Sequence, residues 1–406
     1  MDHLKCLHKY KTRRRFESIL TSYVIYRAFM SKQWRLNSDF GFIAPGEAGV
    51  TPITTTKEPN NCRIVSWNTL ANQYIHYHRK ERPYANRRIF FQNYRHPLLQ
   101  QSFQHFVDID VDFLCLQEVD YKIARQQLVD RNSYIRLLTP TGCGHGSGDT
   151  RVDACCIFYK SKNWNLLDKK VVHLDDLSDQ YGKSFRRENF GIIACFQHVS
   201  NPNRRITICN THLYWNETFE YVKLRQAHYL CSQARKFLDK QEEDHEVKHH
   251  FVLCGDLNSK PGGLVHTYMS TGEVATAGLP SFNNSWLECP LRHLLLKSIH
   301  AKHDDRQAEN IEYTNCTTVF RCVIDYIFYS QSLNLEKVLS IPVFRNNRRE
   351  RGTNPDVIPR IEWPSDHLAI GAEFSFQEQH CRKLRVVFYF LLILMVLFTM
   401  IVCSQK

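Results

Sequence analysis

No Cys-x-x-Cys pair occurs anywhere in the 406 residues, although the chain carries 15 cysteines. An odd number of scattered cysteines, two of them adjacent at Cys155-Cys156, argues against a disulfide framework and against a zinc site. Cys115, Cys209 and Cys254 fall inside apolar runs, where a free thiol behaves as a small hydrophobe, and a reducing compartment is expected. A phosphate-cradling loop is also lacking. The glycine-rich stretch TPTGCGHGSGDT (139–150) has no Gly-Lys-Ser/Thr ending and reads as a surface connection. There is no internal repeat and no leucine-repeat periodicity, which excludes a solenoid. Nothing pairs a nucleophilic Ser or Cys with a base.

A one-sided charge is missing from most of the chain. Residues 1–40 hold nine Lys/Arg against three Asp/Glu (+6), and residues 381–406 hold four against none (+4). Of the formal net charge of +12, residues 41–380 therefore keep only +2, so bulk charge does not argue for nucleic acid. A content of 43% hydrophobic and 23% charged residues indicates an ordered globular protein.

Charge is absent altogether from Val386 to Cys403 (VVFYFLLILMVLFTMIVC). At ~1.5 Å per residue this run spans about 27 Å, enough for a thin bilayer. Arg382, Lys383 and Arg385 precede it and only Ser404-Gln405-Lys406 follow. The expectation is a membrane tail anchor (386–403) behind a basic juxtamembrane linker (377–385). The positive-inside bias places the larger part in the cytosol, at the endoplasmic reticulum or mitochondrial outer membrane. Residues 1–40 form a basic segment, in which Asp2 and Glu17 count against a mitochondrial presequence. Residues 41–61, rich in Gly, Pro, Thr and Asn, read as a linker into a catalytic domain expected over 62–376.

What is present in quantity is a set of buried strands that end on polar residues. Phe251 to Cys254 is an apolar run fit for a strand buried on both faces, and it delivers Asp256 and Asn258. Two residues apart, these share one side if the chain stays extended. Alone, the pair also fits a turn-capping Asp and a helix-capping Asn. Other runs end the same way. RIVSW (63–67) leads into Asn68, VDFLCLQ (111–117) into Glu118, and ITIC (206–209) into Asn210-Thr211-His212. Val323-Ile324 leads into Asp325, and Pro364-Ser365-Asp366-His367 precedes Leu368-Ala369-Ile370. Carboxylates, carboxamides and imidazoles at six strand ends make a kit for metal and phosphate chemistry. Between them, Leu98 to Phe106, 122–131 and Val222 to Leu238 read as helices. Strands at 154–159 and at 191–196, the latter hairpin-paired with 205–209, complete a mixed-sheet α/β pattern.

These segments resemble the endonuclease/exonuclease/phosphatase (deoxyribonuclease-I-like) superfamily, in the branch of Ccr-type deadenylases, nocturnin and Angel proteins. The matching stretches are VSWNTLANQY (65–74), DFLCLQEVD (112–120), DACCIFYK (153–160), NTHLYWN (210–216), VKLRQ (222–226), CGDLNSKPG (254–262), EYTN (312–315), VIDYIFYS (323–330) and PSDHLA (364–369). The resemblance implies a four-layer αββα sandwich and a Mg²⁺-dependent phosphodiesterase, with Mn²⁺ as a substitute ion. It implies Glu118 as the principal metal ligand, with Asn68 and Asp366 beside the metal. Asp256 would orient or deprotonate the attacking water, Asn258 would bind a phosphoryl oxygen, and His367 would stabilise the pentavalent transition state. His212 and Asp325 would complete the charge network. Phosphoryl transfer needs this positioning and charge neutralisation more than a protein nucleophile.

On substrate the same resemblance is less specific. It matches Phe320 to a residue that stacks on a base and Asn315 to one that reads a base edge, while a plain core role for Phe320 stays open. The family motif often continues with a proline after Asn216, where this chain has Glu217. The loop 344–360 carries Arg345, Arg348, Arg349, Arg351 and Arg360, which either hold a polyphosphate backbone or form a solvated loop. The leading expectation is a membrane-tethered 3′→5′ exoribonuclease, poly(A)-specific or RNA-processing, acting on an RNA 3′ end. The alternative is a phosphatase for a small or terminal phosphate, such as the 2′-phosphate of NADP(H) or an RNA 2′,3′-cyclic phosphate. A neutral sphingomyelinase is more remote. With no leucine-rich adaptor read from the sequence, docking in a large deadenylase complex is not implied.

Overall fold

The computed structural model describes residues 40–44, 56–75, 87–120, 124–129, 134–138, 153–241, 249–299, 312–342 and 357–377. Two twisted sheets stack face to face. The first has the order β1 (Phe42–Ile43), β16 (Leu333–Leu339), β17 (Ile370–Phe376), β2 (Cys62–Asn68), β3 (Phe113–Asp120), β5 (Asp153–Lys160), β4 (Tyr134–Leu138). The second runs β12 (Lys297–Ser298), β15 (Asp325–Tyr329), β9 (His249–Asp256), β8 (Asn201–His212), β7 (Phe190–His198), β6 (Trp164–His173). Each sheet is antiparallel apart from one parallel pair, β2 with β3 and β8 with β9. Short hairpins β10 (Glu273–Ala275) with β11 (Trp286–Glu288) and β13 (Asn315–Cys316) with β14 (Arg321–Cys322) are appended.

Side-chain alternation divides every central strand between two cores. Ile64, Phe113, Cys115, Ile206, Ile208, Val252, Cys254, Ile327 and Tyr329 meet between the sheets. Val65, Trp67, Leu114 and Leu116 face outward onto α1 (Gln92–Asp108) through Leu99, Phe103 and Phe106. Cys209, Phe251 and Leu253 face outward onto α3 (Glu220–Gln241) and α4 (Leu264–Thr271), with the five-residue α2 (Leu177–Tyr181) nearby. The result is the αββα sandwich that the motifs implied. The strand positions read from the sequence recur, as do the helices at 98–106 and 222–238, with α1 extending six residues before Leu98.

Three expectations need correction or limits. Within the segment read as a linker, β1 pairs antiparallel with β16, and Phe42, with Phe40 at the end of the preceding basic segment, is buried in the core beneath α1. Two aromatic residues were enough to dock a stretch whose composition signalled a loop. At 122–131 the described portion is one π-helical turn, Arg125–Val129. The glycine-rich loop 139–150, Arg345, Arg348, Arg349 and Arg351, and the apolar run 386–403 lie outside the described residues. Among those described, no helix is long and apolar enough to cross a membrane.

Candidate active site

The strand registers bring the polar exits together. His212 pairs with Asp256 across β8 and β9, and Asp256 pairs with Asp325 across β9 and β15. Three chemically active side chains thus stand in a row on adjacent strands. All three share the inter-sheet face by alternation with Ile208, Cys254 and Ile327, so they emerge where the two sheets open. Asn68 on β2 lies on the matching face of the first sheet, in line with Ile64.

Glu118 does not follow this rule. Its neighbour Gln117 takes the inter-sheet face, so strict alternation would send Glu118 outward toward α1. A β-bulge prevents this: the pairing of β3 with β5 shifts between Leu116 and Val119, and Glu118 adopts φ +50°. The left-handed conformation costs about 1 kcal/mol for a residue with a Cβ and re-aims the carboxylate into the cleft.

The side chains then close a network. Asn68 Nδ2 donates to Glu118 Oε1 and to Asp256 Oδ2, both at 3.0 Å, and so bridges the sheets. The Ala71 N–H donates to Glu118 Oε2 at 3.0 Å. Asp256 Oδ2 also faces His212 Nε2 at 3.5 Å and His367 Nε2 at 3.6 Å. His367 Nδ1 donates to Asp325 Oδ2 at 2.8 Å. Asp325, Asp256 and His367 are each at least nine-tenths buried.

Burial alone would push the His367 pKa down. The charges of Asp325, Asp366 and Asp256, with the hydrogen bond to Asp325, overcome it and hold the imidazole well above its ordinary value. Burial and the neighbouring Asp325 raise Asp256 to about 6, against the lowering pull of His367, His212 and Asn68. Two carboxylates and a cationic imidazole therefore share one dry corner, as expected of a functional site.

The motif Asp256-Leu257-Asn258 is not extended. Asn258 has φ +50°, and its N–H returns to Asp256 Oδ1 at 3.0 Å. Asp256 therefore caps a turn with one oxygen and faces the cleft with the other, so both readings of it hold. Asn258 caps no helix, since the N-cap of α4 is Gly263. Its Nδ2 donates to the Leu213 carbonyl at 3.0 Å. Asp366 lies beside Asn315, whose Nδ2 approaches Asp366 Oδ2 at 3.4 Å. Phe320 is no core residue: it is half-buried at the tip of the β13–β14 hairpin. Lys260 Nζ sits 5.3 Å from its ring centroid and pairs with Glu217 at 2.7 Å. Arg360 is buried and bound to Glu362, not turned to a polyphosphate.

Several supporting residues escaped the sequence reading. Ser365 donates to the Asn68 carbonyl at 2.7 Å and accepts the His367 N–H at 3.1 Å. Thr314 Oγ1 accepts the N–H groups of Ile324 and Asp325. Trp67 and Trp363 both donate their indole N–H to the His367 carbonyl. Buried Arg95 donates to the carbonyls of Pro364, Thr69 and Leu70. A buried indole or guanidinium always needs acceptors, which is the signal that points to such residues.

Asp256, Asp325 and His367 bring one ligand atom each within 4.8 Å of one another, a group of the kind that holds metal. A protonated His367 offers no lone pair, so hard oxygens are the better ligands. Asp256 and Asp325 carry such oxygens in this group, Asn68 ties Glu118 to Asp256, and Asp325 Oδ1 is buried with no hydrogen-bond partner among the described residues. A donor set of carboxylate and carboxamide oxygens fits a hard divalent cation.

The fold and this site together define a hydrolytic enzyme of the nuclease and phosphodiesterase class. Residues 65–367 match the Endonuclease/Exonuclease/phosphatase family, and the chain belongs to it. Curated relatives similar to it include proteins named as Ccr4-type 3′-5′-exoribonuclease subunits. One is a probable CCR4-Not complex 3′-5′-exoribonuclease subunit Ccr4 of Enterocytozoon bieneusi, 30% identical over 292 residues. That alignment covers 68% of this chain and 57% of the relative's own length. Among solved structures, ANGEL2, a 2′,3′-cyclic phosphatase in complex with adenosine-2′,3′-vanadate, superimposes with a TM-score of 0.61 at 22% identity. The match covers 78% of this chain and 96% of that one. The human Nocturnin catalytic domain with bound sulfate gives a TM-score of 0.54 at 19% identity, covering 84% and 99%. At such identities these two structures speak to fold alone.

Proposed function

We propose that this chain is a Mg²⁺-dependent 3′→5′ exoribonuclease held at a membrane by residues 386–403. The observation that carries the chemistry is the bridge from Glu118 through Asn68 to Asp256, with His367 poised between Asp256 and Asp325. RNA as substrate is supported by relatives named as 3′-5′ exoribonucleases.

In this reading Asp256 Oδ2 orients and deprotonates the attacking water, with His212 within reach on one side. His367 is kept cationic by Asp325 and lends positive charge to the phosphoryl oxygens as negative charge builds there. Asn258 contributes its second amide N–H to a phosphoryl oxygen. Glu118, Asn68 and Asp366 would hold the cation. When bound, it supplies charge neutralisation at the phosphoryl group and at the leaving oxygen. Phe320 stacks on the terminal base and Asn315 reads its edge.

A second reading, a phosphatase for a terminal or cyclic phosphate, draws support from the Glu217–Lys260 pair. Lys260 lies against the Phe320 ring, which narrows the space for a stacked base. Both partners are at least half exposed, so the pair is weak, about 0–1 kcal/mol, and displaceable by substrate.

The purified full chain should be assayed with Mg²⁺ on A-tailed RNA, mixed-sequence RNA, cyclic-phosphate-ended RNA and NADPH, with Asp256→Ala as control. Stepwise 3′ shortening supports the first reading. Turnover of cyclic phosphate or NADPH alone would sink it, and full activity in Asp256→Ala would overturn the site itself. For the tether, the full chain is expected to resist carbonate extraction from cell membranes, and deletion of 386–403 to release it. Extraction of the intact chain would end that part of the proposal.

A further inference from the structure

The segment VKLRQ (222–226) lies in the first two turns of α3, and Lys223 and Gln226 reach the active-site loops through their backbone groups and Asn189. Lys223 and Gln226 lie one turn apart and are both fully buried, beside a helix face that is otherwise apolar. An ammonium and a carboxamide in such a place cost several kcal/mol unless they are paired.

Their partners are the two loops that leave the catalytic strands. Lys223 Nζ donates to the Asn258 carbonyl at 2.5 Å and pairs with Glu220 in the same turn. Gln226 Oε1 accepts the Tyr214 N–H at 2.9 Å, and its Nε2 donates to Asn189 Oδ1 at 2.9 Å. Asn189 Nδ2 in turn donates to the His212 carbonyl at 3.1 Å. The loops are also tied to each other, Leu213 N–H to the Asp256 carbonyl and Asn258 Nδ2 to the Leu213 carbonyl, both at 3.0 Å.

Asn258 holds a left-handed backbone that a residue with a Cβ resists. Its N–H is gripped by Asp256 and its carbonyl by Lys223, so the turn is clamped at both ends. Loss of the Lys223 contact frees the carbonyl of the residue whose N–H fixes Asp256 Oδ1, while loss of Gln226 frees the Tyr214 N–H and the Asn189 side chain that holds the His212 carbonyl.

We infer that Lys223 and Gln226 are positioning residues that aim Asp256 and His212 from behind. The inference rests on the reading of those two as reacting groups. A merely structural role, in which Lys223 only neutralises Glu220, has a different consequence: removing both charges would then restore function.

The test compares Lys223→Met, Gln226→Leu and the double variant Glu220→Gln/Lys223→Met in the full chain. The readouts are kcat and KM on bis(p-nitrophenyl) phosphate and on RNA, and amide hydrogen exchange. Each single variant is expected to lower kcat about 10- to 100-fold with KM within about twofold. Exchange should quicken at 212–216 and 256–260 and stay unchanged along 227–238. The double variant should remain as slow as Lys223→Met. Recovery of kcat in the double variant, or unchanged exchange in both loops, would overturn the inference. Should Lys223→Met not fold, Lys223→Gln and Gln226→Leu carry the same comparison. If the wild type cleaves neither substrate, the functional reading fails, and the exchange pattern by itself decides for or against positioning.

Discussion

Asp256 divides its two oxygens between structure and chemistry, one closing the turn at Asn258 and one facing His212, His367 and Asn68. Its raised pKa makes this an expensive arrangement. In the metal-free protein the folded state holds the Asp256 proton more tightly than the unfolded chain. Its contribution to stability is therefore full below about pH 4 and is lost as pH rises through about 6. Asp256→Asn is expected to cut kcat by about 10²–10⁴ while raising the metal-free Tm at pH 7.5. Kinetics and thermal denaturation side by side check this; a lower Tm would show that the carboxylate is net stabilising. One residue earlier, Gly255 has φ +148°, and a Cβ there would lie 1.9 Å from the Thr211 carbonyl oxygen. Gly255→Ala cannot be relieved by rotating a side chain, because the obstacle is the backbone of β8. A loss of more than about 4 kcal/mol in urea denaturation is expected. Glu217→Ala acts on the rim instead. By releasing Lys260 from its ion pair it should raise kcat/KM on adenosine-ended RNA over cyclic-phosphate ends, measured as the ratio of the two.

At the scale of elements, most of the site follows from strand alternation. Once β8, β9 and β15 pair in register, His212, Asp256 and Asp325 must share a face. Glu118 is the exception, and its bulge was not legible because alternation and left-handed glutamate leave no compositional mark. The strand β2 is held to its neighbours by a second device. Arg63, itself buried, donates to Glu373 on β17 at 2.7 Å and to the Ile109 carbonyl at 2.6 Å. Lys337 Nζ at 3.6 Å and the Asn61 amide at 2.7 Å stay with Glu373 when Arg63 is lost, so Arg63→Met should cost about 1.5–3 kcal/mol, the worth of a hydrogen bond to a charged group. Arg63→Met with Glu373→Leu should recover most of that, as urea denaturation of the single and double variants would reveal.

For the whole molecule, the site exists only because two sheets meet. Asn68 and Glu118 come from one sheet and His212, Asp256 and Asp325 from the other, with Asn68 Nδ2 bonded to both sides. A cation held at Glu118, Asn68 and Asp366 binds the folded state alone, so saturating Mg²⁺ should raise Tm. At a hundredfold excess over Kd the gain is about 2.7 kcal/mol. Differential scanning calorimetry with and without Mg²⁺ checks it, with Glu118→Gln expected to abolish the shift. The polar strand exits, the apolar runs behind them and the helices at 98–106 and 222–238 were all legible in the sequence, because alternation and helical spacing are local properties. Locality also made the exits recognisable as phosphate chemistry before any of them could be placed. What only the tertiary structure decided depends on contacts between segments far apart in the chain. The docking of Phe40 and Phe42, the burial of Arg360, the clamp of Lys260 over Phe320 and the grip of Lys223 on Asn258 each join residues that no short window contains. What fixes them, apolar burial for the phenylalanines and the pairing of charged and backbone groups for the others, is defined only once the sheets have closed.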